Sequence, residues 1–154
     1  MCEAGLRPSE ISADSPSAVA ICPLCSTAPE AVLWPGSRCR VIGAEERGYA
    51  GYCRVIWNDH VAEMTDLPVV DRDHLMDVVW TVEEVLRALT GARKINLASL
   101  GNYVPHLHWH VIPRFADDRH FPEAIWGKPQ RAGIDHPIDR ARLREMLKIR
   151  LASG

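Results

Sequence analysis

Apolar and polar residues alternate with a period of two in several stretches of this chain. Arg38-Cys39-Arg40-Val41-Ile42-Gly43-Ala44 is one, and Tyr52-Cys53-Arg54-Val55-Ile56-Trp57 is another. Successive side chains of a strand point to opposite faces, so both stretches predict half-buried β-strands. Glu45 to Gly51 lies between them and carries Gly48 and Gly51. An antiparallel hairpin with a loop longer than two residues is the expectation. Asn58-Asp59-His60 follows as polar turn chemistry. From Asp71 to Thr90 the period changes: Leu75, Val78, Val79, Val82, Val85, Leu86 and Leu89 fall on one helical face. Asp71 is the expected N-cap, Val70 and Leu75 stand at the two positions of a hydrophobic staple, and Gly91 is the expected stop. Valine is a poor helix former, so packing against a sheet must hold this helix. Lys94 to Leu100 reads as a short strand and Gly101-Asn102 as a turn.

The strictest alternation runs from Asn102 to Arg114, where His106, His108 and His110 interleave with Leu107, Trp109 and Val111. On one strand the three imidazoles share a face and the three apolar residues anchor the other in the core. This strand and Lys94–Leu100 predict a second hairpin, and Pro113 ends or edges the ladder. Three of seven histidines within five residues require partners for both ring nitrogens wherever they are partly buried. A strand with surface histidines and a His-x-His metal site are the alternatives to nucleophilic chemistry. Shared ligation of one ion by His106 and His110 is disfavoured, because four rises of roughly 3.3 Å separate them by about 13 Å.

Beyond Arg114 the chain turns irregular. Phe115 to His136 includes His120, Trp126, Lys128 and Arg131, a long arm with exposed aromatics that suggests a functional or intersubunit loop. A surface loop is the alternative. Asp139 to Leu151 predicts a final helix, apolar at Leu143, Met146, Leu147 and Leu151 and basic on its solvated face. The 154 residues suggest a single domain over 20–154, with 1–19 a flexible leader rich in serine and proline. A formal net charge of −2 argues against polymeric nucleic acid or an acidic membrane surface as partner. No apolar run approaches the roughly 20 residues needed to span a bilayer, and the N-terminal residues lack the apolar core of a secretory signal. A cytoplasmic location with reduced thiols is therefore expected for the five cysteines. Cys22-Pro23-Leu24-Cys25 is readable as half a zinc site, a redox dithiol or an apolar turn.

His106-Leu107-His108-Trp109-His110-Val111-Ile112 resembles the signature of the histidine triad (HIT) family, in which three histidines alternate with apolar residues. Arg54 to His60, the helix from Asp71 and the lead-in Asn96…Gly101-Asn102 follow in the family's order, so the resemblance covers roughly residues 20–115. It implies an α+β fold: an antiparallel sheet of about five strands, one long packed helix and, here, a C-terminal helix. It implies a homodimer that binds nucleotides and cleaves at the α-phosphorus of a dinucleoside polyphosphate, a nucleoside phosphoramidate or a related nucleotide. His108 is the implied nucleophile, flanked by His106 and His110, with a covalent nucleotidyl-histidine resolved by water. A low-turnover nucleotide-binding module of the same fold is the alternative. By resemblance, Asn96, Asn102 and Tyr103 match substrate-side positions, and Cys22, Cys25, His60 and His106 match a structural zinc site not required for catalysis. For such a nucleotide site His120, Trp126, Lys128 and Arg131 are candidates to cap it or bind a distal phosphate, with surface residues on a loop as the alternative. The chain departs from the family at Tyr52, where a histidine is usual, at Trp57, where a proline is common, and at Asn102 and Tyr103, where a glutamine and a small hydroxyl residue are usual.

Overall fold

The computed structural model of the protein describes residues 22–26 and 28–152. The leader expected over residues 1–19 lies outside the described residues. Strands β1 (Val32–Pro35), β2 (Cys39–Gly43), β3 (Cys53–Trp57), β4 (Lys94–Ala98) and β5 (His108–Arg114) form one sheet in the order β1-β2-β3-β5-β4. All neighbouring pairs are antiparallel. Helix α1 (Val69–Thr90) separates β3 from β4, and α2 (Arg140–Leu151) closes the order. The two expected hairpins and both helices are present. β1 carries no alternation long enough to read: four residues, a bulge between Val32 and Trp34, and a terminal proline.

Alternation decides what each face does. Cys39, Val41, Cys53, Val55, Trp57, Leu97, Trp109 and Val111 point to one side, where α1 packs. There they meet Leu75, Val78, Val79, Val82, Val85 and Leu86, all buried on the predicted stripe. Each such side chain contributes roughly 1.5–3 kcal/mol on burial, which outweighs the weak helix propensity of the valines. Leu143 and Leu147 of α2 join the same core. The other face carries Ile42, Arg54, Ile56, His108 and His110. Ile42 pairs with Arg54 and Arg54 with His110 across three neighbouring strands, while Ile56 pairs with His108.

Two expectations change in detail. Helix α1 begins two residues earlier, with Pro68 rather than Asp71 as its N-cap. The Pro68 carbonyl takes the first free amides, from Asp71 at 3.0 Å and Arg72 at 3.1 Å, and the Asp71 carboxylate pairs with Arg38 at 2.8 Å. Val70 is 64% exposed, so no staple to Leu75 forms. The stop is as expected: Gly91 adopts φ 63°, a left-handed cap that costs an L side chain energy. At the far end Asp139 caps α2, accepting from the Arg142 amide at 2.9 Å.

The second change concerns the histidines. The strand begins at His108, so His106 is not one of three imidazoles on a single strand face. The backbone turns at His106, whose amide donates to the Val104 carbonyl at 2.8 Å, and its ring faces away from the cleft. Pro113 sits inside β5, beyond the point where pairing with β3 ends at Val111, so its missing N–H breaks no ladder on that side.

Candidate active site and metal centre

His108 and His110 open into a cleft of about 600 Å³ together with Arg54, Asn102, Tyr103 and Trp126. Their rings stand 4.7 Å apart, edge to face. His108 is 7% exposed and His110 5%, so each depends on nearby partners. His108 Nδ1 lies 2.6 Å from the His106 carbonyl oxygen. A carbonyl only accepts, so Nδ1 carries the proton and Nε2 keeps its lone pair. Burial lowers the His108 pKa; the hydrogen bond to the carbonyl opposes that, and the charge of Arg54 adds to it. A neutral imidazole with a fixed free lone pair is the form a nucleophile requires.

His110 is held differently. Its Nδ1 lies 2.5 Å from the Tyr52 hydroxyl, which is buried below the sheet surface. The Arg54 guanidinium carbon lies 5.5 Å from the centroid of the Tyr52 ring. When the phenol donates its proton to His110 Nδ1, the ring proton sits on Nε2, which becomes the donor. Burial, then His108, then Arg54 push the His110 pKa down to about 4. At neutral pH its ring is therefore uncharged.

The ring of His106 belongs to a second cluster. Its Nε2 donates to the Trp57 carbonyl at 2.7 Å, which leaves Nδ1 as a lone pair 3.4 Å from Cys22 Sγ and 3.6 Å from Cys25 Sγ. His60 Nδ1 lies 3.4 Å from Cys25 Sγ. All four ligand atoms fall within 4.8 Å of one another. In a tetrahedral zinc site with bonds of about 2.3 Å to sulfur and 2.0–2.1 Å to nitrogen, neighbouring ligands are about 3.5 Å apart. The donor set and its spacing fit that ion, and the Trp57 carbonyl fixes the tautomer a metal needs. His106, expected to flank the reacting centre, reaches His108 through its backbone oxygen instead.

The irregular arm packs back onto the sheet. Asp118 is its anchor, with the Arg114 guanidinium at 2.7 and 3.0 Å and the amides of Phe115, His120 and Phe121 at 3.1, 2.9 and 2.7 Å. Burial alone raises the Asp118 pKa, but Arg114 and the three amides outweigh it and hold the carboxyl at about 2. Arg131 donates to the Asp118 and Phe121 carbonyls at 2.9 and 2.6 Å. So fixed, the arm sets the Trp126 ring 5.1 Å from His110 while leaving it 51% exposed. Trp126 lines the cleft; His120, Lys128 and Arg131 do not. His120 is instead buried against Tyr49, whose hydroxyl is 2.6 Å from its Nδ1.

Of the expected substrate-side residues, Asn102 and Tyr103 line the cleft, and Tyr103 is fully exposed. Asn96 lies two pairs along β4 from the Ala98–His110 pair, and its Oδ1 accepts from Arg114 at 2.6 Å. Arg54 is the cleft residue that sequence reasoning missed. Its parity put it on a polar strand face, but nothing local says that β3 pairs with β5 in a register setting Arg54 opposite His110.

A sequence model of the HIT domain matches residues 26–117. Among solved structures, a histidine triad protein from Bradyrhizobium japonicum is 25% identical, with a TM-score of 0.63 over 82% of this chain and 96% of its own. One from Sinorhizobium meliloti is 25% identical, with a TM-score of 0.61 over 80% and 88%. A Zn-bound histidine triad family protein from Mycobacterium smegmatis shares the fold at 20% identity, with a TM-score of 0.59 over 88% and 96%. No curated protein sequence matches the chain.

Proposed function

The chain belongs to the HIT domain family, and from that premise we propose that it is a nucleotide-binding hydrolase or nucleotidyltransferase acting at the α-phosphorus of its substrate. The observation that carries the reading is the lone pair of His108, held on Nε2 by the bond from Nδ1–H to the His106 carbonyl. Nε2 attacks phosphorus, a P–N bond forms, and the bond to the leaving group breaks. His110 Nε2–H donates to the phosphoryl group. Once an anionic phosphate lies against it, the imidazolium is favoured and its proton passes to the leaving atom. Water then attacks phosphorus, the P–N electron pair returns to His108, and the water proton returns to His110. Dinucleoside polyphosphates, nucleoside phosphoramidates and related nucleotides are the substrate classes. Asn102 and Tyr103 contact the substrate from the rim.

Cys22, Cys25, His60 and His106 hold a structural zinc in this reading, as the spacing of their ligand atoms and the Zn-bound relative support. The ion ties the Cys22–Cys25 turn to the segment that leads into His108. The protein acts as a homodimer, which the exposed Val69, Val70 and Trp80 of α1 support. No helix among the described residues is long and apolar enough to cross a membrane. A cytoplasmic location with no membrane or polymeric nucleic acid partner fits the composition. A second reading, nucleotide binding with little turnover, draws on His110, which at about pKa 4 is a weak proton source before an anion binds.

The deciding experiment measures hydrolysis of diadenosine polyphosphates, adenosine phosphoramidate and a nucleotide sugar by the native chain and a folded His108→Ala variant. Turnover lost by about 10³-fold or more in the variant is expected. Equal turnover in both removes His108 as nucleophile. Binding without turnover in either selects the second reading.

A further inference from the structure

Arg54 has more hydrogen-bonding capacity than the protein uses. Among the described residues its Nε is buried with no hydrogen-bond partner. An unsatisfied buried donor on a charged group is costly to leave unpaired, so a site that tolerates one commonly pairs it with a ligand. Arg54 is also the one formally charged residue among those described as lining the cleft, and no carboxylate faces it there. The remaining wall is apolar or neutral and includes Leu24, Ile42, Val104 and Trp126. One fixed cation in such surroundings selects for anions.

Its position indicates which anion. The register places Arg54 between Ile42 on β2 and His110 on β5. Adjacent strands lie about 4.8 Å apart, so the guanidinium starts one strand away from the pair of imidazoles that meet the attacked phosphoryl group. His108 serves that group as nucleophile and His110 as donor. A planar guanidinium set to the side offers a fork suited to two oxygens of another phosphate.

We propose that Arg54 binds a second phosphate of the substrate, distinct from the phosphoryl group attacked by His108, and so restricts the site to nucleotides that carry one. This rests on the nucleotide reading above. The second phosphate has two chemical sources: the next phosphate of a di- or polyphosphate chain, or a phosphate on the ribose. Both present at least two non-bridging oxygens that share negative charge, the feature a guanidinium fork binds.

Calorimetric titration of the full chain with AMP, ADP and adenosine 3′,5′-bisphosphate separates these sources. The native protein is expected to bind one of the two doubly phosphorylated ligands at least about tenfold more tightly than AMP, and the preferred ligand names the source. Arg54→Gln should erase that preference while changing AMP affinity by less than about threefold. Arg54→Lys, which keeps the charge without the fork, should retain part of it. Equal loss for all three ligands in Arg54→Gln would assign Arg54 to the attacked phosphate and overturn the proposal. So would a native protein that binds all three alike or none. Unfolding transitions of both variants should match the native chain; if Arg54→Gln fails to fold, Arg54→Lys carries the same comparison. Turnover by native chain and His108→Ala is read separately. A chain that hydrolyses nothing yet prefers a second phosphate would fail as a hydrolase and keep this assignment.

Discussion

Replacing Asp118 by asparagine should cost about 3 kcal/mol of stability, although the residue bonds to neither His108 nor His110. Two routes lead to that figure. The carboxyl is held near pKa 2 against an ordinary 3.8. That gap is worth about 2 kcal/mol at neutral pH. Asparagine also turns an N–H₂ group toward a guanidinium that is 1% exposed and has no acceptor to spare. Stranding one partner of a buried ion pair costs roughly 3–5 kcal/mol. The Arg114 bonds to Asn96 and to the Glu123 carbonyl, at 2.6 and 2.7 Å, keep the loss toward the low end. For a chain of this length about 3 kcal/mol lowers the melting temperature by roughly 6–12 °C. Urea unfolding at pH 7, followed by far-ultraviolet circular dichroism, measures it. The sign with pH is fixed. A carboxyl with a lowered folded pKa contributes fully above its unfolded value of about 3.8, and that contribution disappears as pH falls through about 2. The native and variant proteins should therefore converge in acid. A loss under about 1 kcal/mol at pH 7, or a gap that persists at pH 2, would refute the reasoning.

Tyr52→Phe removes the hydroxyl that fixes the His110 tautomer; kcat should fall roughly 5–10-fold with little change in KM, in steady-state assays on the best substrate of the panel. Purified protein should carry about one zinc per chain by elemental analysis; Cys22→Ser and His60→Ala should lose it and melt earlier, while His108→Ala keeps it. His110 has a folded pKa near 4 against 6.5 unfolded. The unfolded chain gains the proton first, so stability should fall as pH drops from about 6.5 to 4, by at most about 3 kcal/mol from this residue. His110→Gln should flatten that part of the stability–pH curve, and an unchanged slope would assign it to other groups.

What could be read in the sequence was whatever depends on local period. The valine and leucine stripe of α1, the alternation of β2 and β3, and the parity of His108 and His110 against Trp109 and Val111 all emerged as written. So did the Cys22, Cys25, His60 and His106 grouping, through resemblance and not through spacing. Legibility ended where long-range geometry takes over. The turn at His106 needs the Trp57 carbonyl and the two cysteines, 49, 84 and 81 residues away, to draw the ring out of line. Arg54 could not be set beside His110 from the sequence, because strand pairing is not encoded within either strand. The start of α1 shifted because proline offers both a suitable φ and a free carbonyl. Trp126 returned to His110 only because a buried ion pair anchors the arm that carries it.

The carbonyls of His106 and Trp57 each decide where an imidazole keeps its proton. Every residue type supplies a main-chain oxygen, so no point substitution at position 57 deletes the acceptor that orients His106. The proposed division of labour between a nitrogen for phosphorus and a nitrogen for metal would thus be inherited through the path of the chain. Drift can rewrite the surrounding side chains, as at Trp57 itself, while the two lone pairs stay in place as long as the sheet keeps its register.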